Sequence, residues 1–226
     1  MPTNNKHLRQ TPLKSRAVRS IPKASKGHFV GEMVFNRGNQ RQTLGLASLT
    51  EYNAALCLIY HQNFHDIEEQ LPGLPFSLPN GKPSKHFFDF RVTQRGGRRV
   101  CISVKPERIA MTFTYQSIMA QVEKAAIGNI CDEVKTITER NIDPVALHNA
   151  KLFHAARDVE PQLDALVGAA LSALTAPVLI DDFLAEIGVF EFGFFAVARA
   201  IHAGRARLFT KEKIRGATLI ERGAEV

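Results

Sequence analysis

The segment from His86 to Pro106, HFFDFRVTQRGGRRVCISVKP, restricts the fold more than any other part of the chain. Phe88, Phe90 and Val92 alternate with Asp89 and Arg91, and Val100, Ile102 and Val104 alternate with Cys101, Ser103 and Lys105. A period of two marks half-buried strands, so the spacing predicts a β-hairpin that turns at Gly96-Gly97. A two-residue turn would set Asp89 opposite Val104 and send the two apolar sets to different faces. An odd loop avoids this, and three residues with a glycine in the left-handed region fit the sequence. That register brings Asp89 across from Ser103 or Lys105, on the side opposite the apolar residues.

With 226 residues, 45% of them hydrophobic, the chain can bury one substantial core or two small ones. No apolar run approaches the roughly 18 residues of a membrane span, and the N-terminus lacks the apolar block of a secretory signal. The expectation is a soluble, cytoplasmic protein with no membrane partner. Cys57, Cys101 and Cys131 are widely spaced and form no CxxC pair, which argues for reduced thiols over disulfides or zinc.

The net charge of +7 is unevenly placed. Lys6, Arg9, Lys14, Arg16, Arg19, Lys23 and Lys26 all precede the first acid, Glu32, and the remaining chain balances 22 Lys and Arg against 22 Asp and Glu. The first 30 residues therefore read as a flexible basic arm. Such an arm is a solvated tail, a segment resembling an organelle transit peptide, or a strap along nucleic-acid phosphates, each neutralised phosphate adding about −0.9 to the slope of log affinity against log salt.

Beyond the arm, residues 31–43 read as extended. Ser48 opens a helix to about Gln62, and Ile67 to Pro79 is a short strand followed by a proline-rich loop. A helix is expected from Tyr115 to Ile127 and a strand from Ile130 to Ile137. Asp143 as N-cap and Pro144 at the first helical position start another helix, to about Arg157. These elements make an α/β domain over residues 31–158. In residues 159–226 a helix from Glu160 to Leu174, a short one capped by Asp181 or Asp182 and ending at Gly188, and a third from Phe190 to His202 precede a basic hairpin. That is the outline of a winged helix.

Cleaving a phosphodiester takes acidic oxygens to hold Mg²⁺ and a cation near the attacking water, because negative charge grows on the phosphate while hydroxide is generated. Asp89 is the natural ligand, and Lys105 on the neighbouring strand can orient the water. Glu51 stands near the start of the helix before the sheet, where it can point at the same ion. Ser48-Leu49-Thr50-Glu51 is equally a capping box, in which Glu51 reaches back to the N-cap amide. Gln70 is a candidate lining residue. His61 and His65 lie one helical turn apart without the partners of a zinc site, and Phe190, Phe192, Phe194 and Phe195 read as core.

Taken in order, Ser48-x-x-Glu51, Glu69-Gln70-x-Pro72, Phe88-Asp89-Phe90 and Val104-Lys105-Pro106 resemble the TnsA-type endonuclease subunit of Tn7-like heteromeric transposases. The likeness runs from about Arg19 to Arg222. It implies a restriction-endonuclease-like mixed sheet with flanking helices, followed by a small winged-helix domain. It also implies a Mg²⁺-dependent (Mn²⁺ may substitute) DNA endonuclease that nicks the 5′ strands of double-stranded transposon ends. Its implied partners are a DDE transposase subunit, which handles the 3′ ends, and an ATP-dependent transposition regulator. Mapped onto this chain, Glu51 and Asp89 are acidic active-site residues, Lys105 the catalytic lysine and Gln70 a supporting polar group, with Asp89, Glu51 and Ser103 at the metal. The family carries Glu or Gln two residues before its lysine, where this chain has Ser103, a short and neutral ligand. Phe87-Phe88 also replaces the family's usual proline. A nuclease-like scaffold without activity and a winged-helix DNA-binding regulator are the rival expectations.

Overall fold

The computed structural model describes residues 11–19 and 29–223. The chain divides into two compact units, one ending at Asp143 and one beginning at Pro144. In the first, Gly31–Arg37 (β1) and Gln40–Leu46 (β2) pair antiparallel. Leu49–Ile59 (α1) follows, then Phe64–Glu69 (β3) and a small hairpin of Leu74–Ser77 (β4) and Pro83–His86 (β5). Phe90–Gln94 (β6) and Arg99–Val104 (β7) come next. Glu107–Ala110 (α2) and Phe113–Ala126 (α3) connect them to Glu133–Ile137 (β8).

The main sheet has the order β3-β6-β7-β8, antiparallel except for the parallel pair β7-β8. Its hairpin has the odd loop that the alternation demands. Phe90 faces Ile102 and Val92 faces Val100. Arg95, Gly96 and Gly97 make a three-residue loop closed by the Gln94 N–H to the Arg98 carbonyl, 2.8 Å, and Gly97 has φ of 82°. β7, central and followed by a parallel neighbour, is buried on both faces. Cys101 and Ser103, which alternation assigned to the polar side, are fully enclosed.

Phe88 corrects the simple alternation. β6 begins only at Phe90, after a bend at Asp89. Phe88 thus joins the core of Cys101, Cys131, Met119 and Val122 beneath α3, whereas Phe90 pairs with Ile102. The proline-rich stretch also differs from expectation. Pro75 and Pro83 sit within a two-stranded hairpin, where a missing N–H costs little because one edge of each strand is unpaired.

In the second unit Pro144–Ala155 (α4), Pro161–Ser172 (α5), Ile180–Glu186 (α6) and Phe194–His202 (α7) enclose an apolar core centred on Val167, Leu171, Phe183 and Val197. A three-stranded antiparallel sheet completes it, with Val178–Leu179 (β9), Ala206–Leu208 (β10) and Leu219–Arg222 (β11) in the order β10-β11-β9. The unit border lies before α4, not at 158/159. Asn149 explains this, since its amide donates to the Glu212 carbonyl and accepts from the Ile214 N–H, both at 2.9 Å, while Leu152 and Phe153 pack on the same core. Leu179, not an aspartate, occupies the N-cap of α6, and Asp181 and Asp182 sit in its first turn.

Part of the basic arm is ordered. Leu13 bridges to β2, Arg16 grips Asp66 through two hydrogen bonds of 2.8 and 2.9 Å and also reaches the Ile67 carbonyl, and Ser15 donates to Glu69 at 2.5 Å. The remainder of that arm, residues 1–10 and 20–28, lies outside the described residues. The chain is mixed α/β, and among the described residues no helix is long and apolar enough to cross a membrane.

Candidate active site

Asp89 and Lys105 meet where the central hairpin leaves its paired region. The Asp89 N–H donates to the Ile102 carbonyl, 3.0 Å, and its carbonyl accepts from the Gln70 N–H, 2.9 Å, so β7 and the residue that follows β3 hold its backbone from both sides. Its Oδ2 accepts from the Val104 N–H at 2.7 Å and lies 3.7 Å from Lys105 Nζ. Lys105 is in turn fixed through its own N–H, which donates to the Ile137 carbonyl of β8 at 3.0 Å. Burial pushes the Asp89 carboxyl above the ordinary carboxylate range, against Lys105, the Val104 amide and Arg19, which pull it down.

Glu51 reaches the same place from α1. Burial raises its pKa too; Asp89 adds to that shift and Lys105 opposes it, so three groups from a helix and two strands share one electrostatic environment. The capping arrangement is present, with one change from the expected pattern. Ser48 Oγ accepts the Glu51 N–H at 3.1 Å and donates to Glu51 Oε1 at 3.2 Å, but Glu51 Oε2 accepts from the Ala47 amide, 2.9 Å, rather than from that of Ser48. A carboxylate has about four lone-pair sites, so these bonds orient Glu51 without exhausting it.

Ser103 lies one residue past Ile102, the residue that pairs with Phe90. It is fully enclosed, and its Oγ is 2.8 Å from His86 Nε2. Burial pulls the His86 pKa down to about 4, with Lys105 adding to the shift, so the imidazole is neutral near pH 7. Tyr115 Oη lies beside Ser103 and 3.0 Å from Thr136 Oγ1. All three expected metal donors have neighbours, and Ser103 is the neutral one, shared between His86 and Tyr115.

Gln70 carries a backbone anomaly. Its φ is 47°, and it is the one non-glycine residue with positive φ among the described residues. Such strain persists only when the surroundings enforce it, and it concentrates at functional positions. Gln70 is 1% exposed, its Oε1 accepts from Arg19 Nη2 at 2.6 Å, and its Nε2 is buried without a partner. Glu69 is equally enclosed; one carboxylate oxygen is held by Ser15 and the Arg16 N–H, the other is unpartnered.

Among the described residues no three His, Cys, Asp or Glu side chains converge as a metal cage. Mg²⁺ does not require one, because it keeps several waters and takes one or two carboxylates. Glu51 and Asp89, hard oxygen donors beside Lys105, fit that chemistry. Each of these carboxyls binds its proton more tightly in the folded than in the unfolded chain. Their contribution to stability therefore declines as pH rises from the ordinary carboxylate range through the raised values. Divalent binding needs the ionised forms, so it strengthens over the same interval. Thermal melts should show Mn²⁺ or Mg²⁺ stabilising the protein at neutral pH, by about 2.7 kcal/mol at a hundredfold excess over Kd. The gain should fade at acidic pH and vanish in Asp89→Asn, which should itself melt higher than the metal-free parent.

His61 and His65 do not share a helix. α1 ends at Ile59, and β3 takes in His65, which breaks the one-turn spacing of the expected pair. Phe190, Phe192 and Phe195 are exposed rather than core, and only Phe194 packs on the buried cluster of the second unit. Three residues at the site escaped the sequence reading. Arg19 is one cation in a basic run, His86 lies at the margin of the alternating pattern, and Glu69 stands only as a member of the Glu69-Gln70-x-Pro72 run. No protein-family model matches this chain, and no curated protein matches it.

Proposed function

We propose that the chain is a metal-dependent DNA endonuclease, the subunit of a heteromeric transposase that nicks the 5′ strands at transposon ends. The meeting of Asp89 and Lys105 at 3.7 Å, with Glu51 in electrostatic reach, carries this reading. The strand order β3-β6-β7-β8, with a parallel last strand and with α1 and α3 beside it, supports a restriction-endonuclease-like core. Helices α5 to α7 and the β10-β11-β9 sheet support a winged helix in the second unit.

Asp89 and Glu51 would hold Mg²⁺ or Mn²⁺, which when bound supplies an acidified water and neutralises phosphate charge. Lys105 adds a positive charge at the same place, where it orients the attacking water and stabilises the negative oxygens of the phosphate. The Val104 N–H and the backbone bonds of Asp89 keep that carboxylate from rotating away. The other strand end would be cut and joined by a DDE transposase, and an ATP-dependent regulator would engage the second unit.

Strand-specific nicking of labelled transposon-end duplex, with the partner transposase and Mg²⁺ or Mn²⁺, tests this. Cleavage lost in Asp89→Ala and Lys105→Ala supports the enzyme, and unchanged cleavage in both overturns it. One observation favours a second reading. Ser103, where the family carries Glu or Gln, is enclosed and bound to His86. A scaffold that has lost activity would bind the partner transposase yet leave the duplex intact.

A further inference from the structure

Arg19 is the cation of the basic arm that reaches the candidate site. Residues 13–18 run beside β2 and β3, with Leu13 bridged to Gln42, Arg16 clamped on Asp66, and the Val18 N–H donating to the Gln70 carbonyl at 3.2 Å. This track delivers Arg19 to Gln70, whose backbone N–H is bonded to Asp89. The guanidinium lies over the Phe87 ring, 5.3 Å from its centroid, and the residue is exposed to solvent.

We propose that Arg19 contacts substrate: its guanidinium, aimed by Gln70 and Phe87, binds a phosphate of the DNA strand being cut. The inference rests on the endonuclease reading above and adds a substrate-binding residue to it. Arginine has five N–H donors in a rigid fork. Among the described residues the guanidinium donates to Gln70 Oε1 alone, which leaves donors for a bidentate grip on phosphate oxygens. The Phe87 ring lies under the guanidinium, and the residue remains exposed to water. The bond from Arg19 fixes which end of the Gln70 amide is oxygen, and so leaves Nε2 as a buried donor awaiting an acceptor. Two acids, Glu51 and Asp89, would repel a phosphate on their own; Lys105 and Arg19 are the cations that offset them. Docking of the arm and assembly of the cleavage site are then one event.

The test compares the full-length protein with Arg19→Ala and Arg19→Lys. Binding of fluorescein-labelled transposon-end duplex is followed across a salt series with Ca²⁺, which keeps the strand intact, and nicking is followed with Mg²⁺ and the partner transposase. Arg19→Ala should weaken binding about 10- to 100-fold and flatten the log–log salt slope by about 0.9. Arg19→Lys should keep the slope and recover part of the nicking. An unchanged slope in Arg19→Ala overturns the proposal, even if nicking falls, because a latch that merely holds the arm down has no phosphate to release. Should Asp89→Ala and Lys105→Ala nick like the parent, the endonuclease reading itself fails. If they are dead while Arg19→Ala is fully active, only the role of Arg19 fails.

Discussion

Alanine at Lys105 is expected to slow strand nicking by on the order of 10²–10³-fold, the usual cost of removing one group that stabilises transition-state charge. The fold should survive. Lys105 is partly exposed, its backbone bond to β8 does not need the side chain, and its ion pair with Asp89 is longer than a hydrogen bond. Asp89→Ala should be at least as damaging to nicking, but for a separable reason. It removes the proposed metal donor together with the acceptor of the Val104 N–H, so the divalent gain in melting temperature should disappear as well. Lys105→Ala should keep that gain. Single-turnover nicking combined with thermal melts in Mn²⁺ distinguishes the two, and equal metal stabilisation in both variants would count against Asp89 as a ligand.

Phe88→Ala should destabilise the first unit by about 3–5 kcal/mol, the range for removing a buried aromatic ring. The ring is fully enclosed among Cys101, Cys131, Met119 and Val122, and the His86 imidazole packs edge-on against it at 4.6 Å. Its neighbour Asp89 depends on it. Losing the ring would free the bend before β6 that aims the carboxylate and would loosen His86 against Ser103. Urea unfolding should give a lower midpoint with a similar slope, and nicking by the fraction still folded should drop too. A cost below about 1 kcal/mol, typical of surface sites, would show that this side chain does not hold the bend.

Much of the site was legible in the chain. The alternation on either side of Gly96-Gly97, combined with the need to bury both apolar sets on one side, required an odd loop, and the loop then paired Phe90 with Ile102 and left Asp89 near Lys105. Ser48 and Glu51, three residues apart, located the start of α1. The helix from Pro144 and the glycine stop at Gly188 followed from local backbone preferences in the same way. What remained hidden depended on contacts across long sequence separations. The strand of Phe64–Glu69 begins earlier than the pattern suggested, because pairing with β6 outweighed the helical spacing of His61 and His65. The arm looked disordered by composition, yet Asp66 and Glu69 give Arg16 and Ser15 partners about fifty residues away.

Periodicity, turn chemistry and caps are properties of neighbouring residues, so the chain by itself determined its α/β character, the hairpin register and the placing of Asp89 near Lys105. Burial depends on which elements stack on which. Only the tertiary structure decided that Ser103 is enclosed and bound to His86, that Gln70 is held in the left-handed region, and that one arginine of a basic run stops at Gln70. Side chains that meet across a sheet owe their geometry to packing between distant segments, and no local pattern records it.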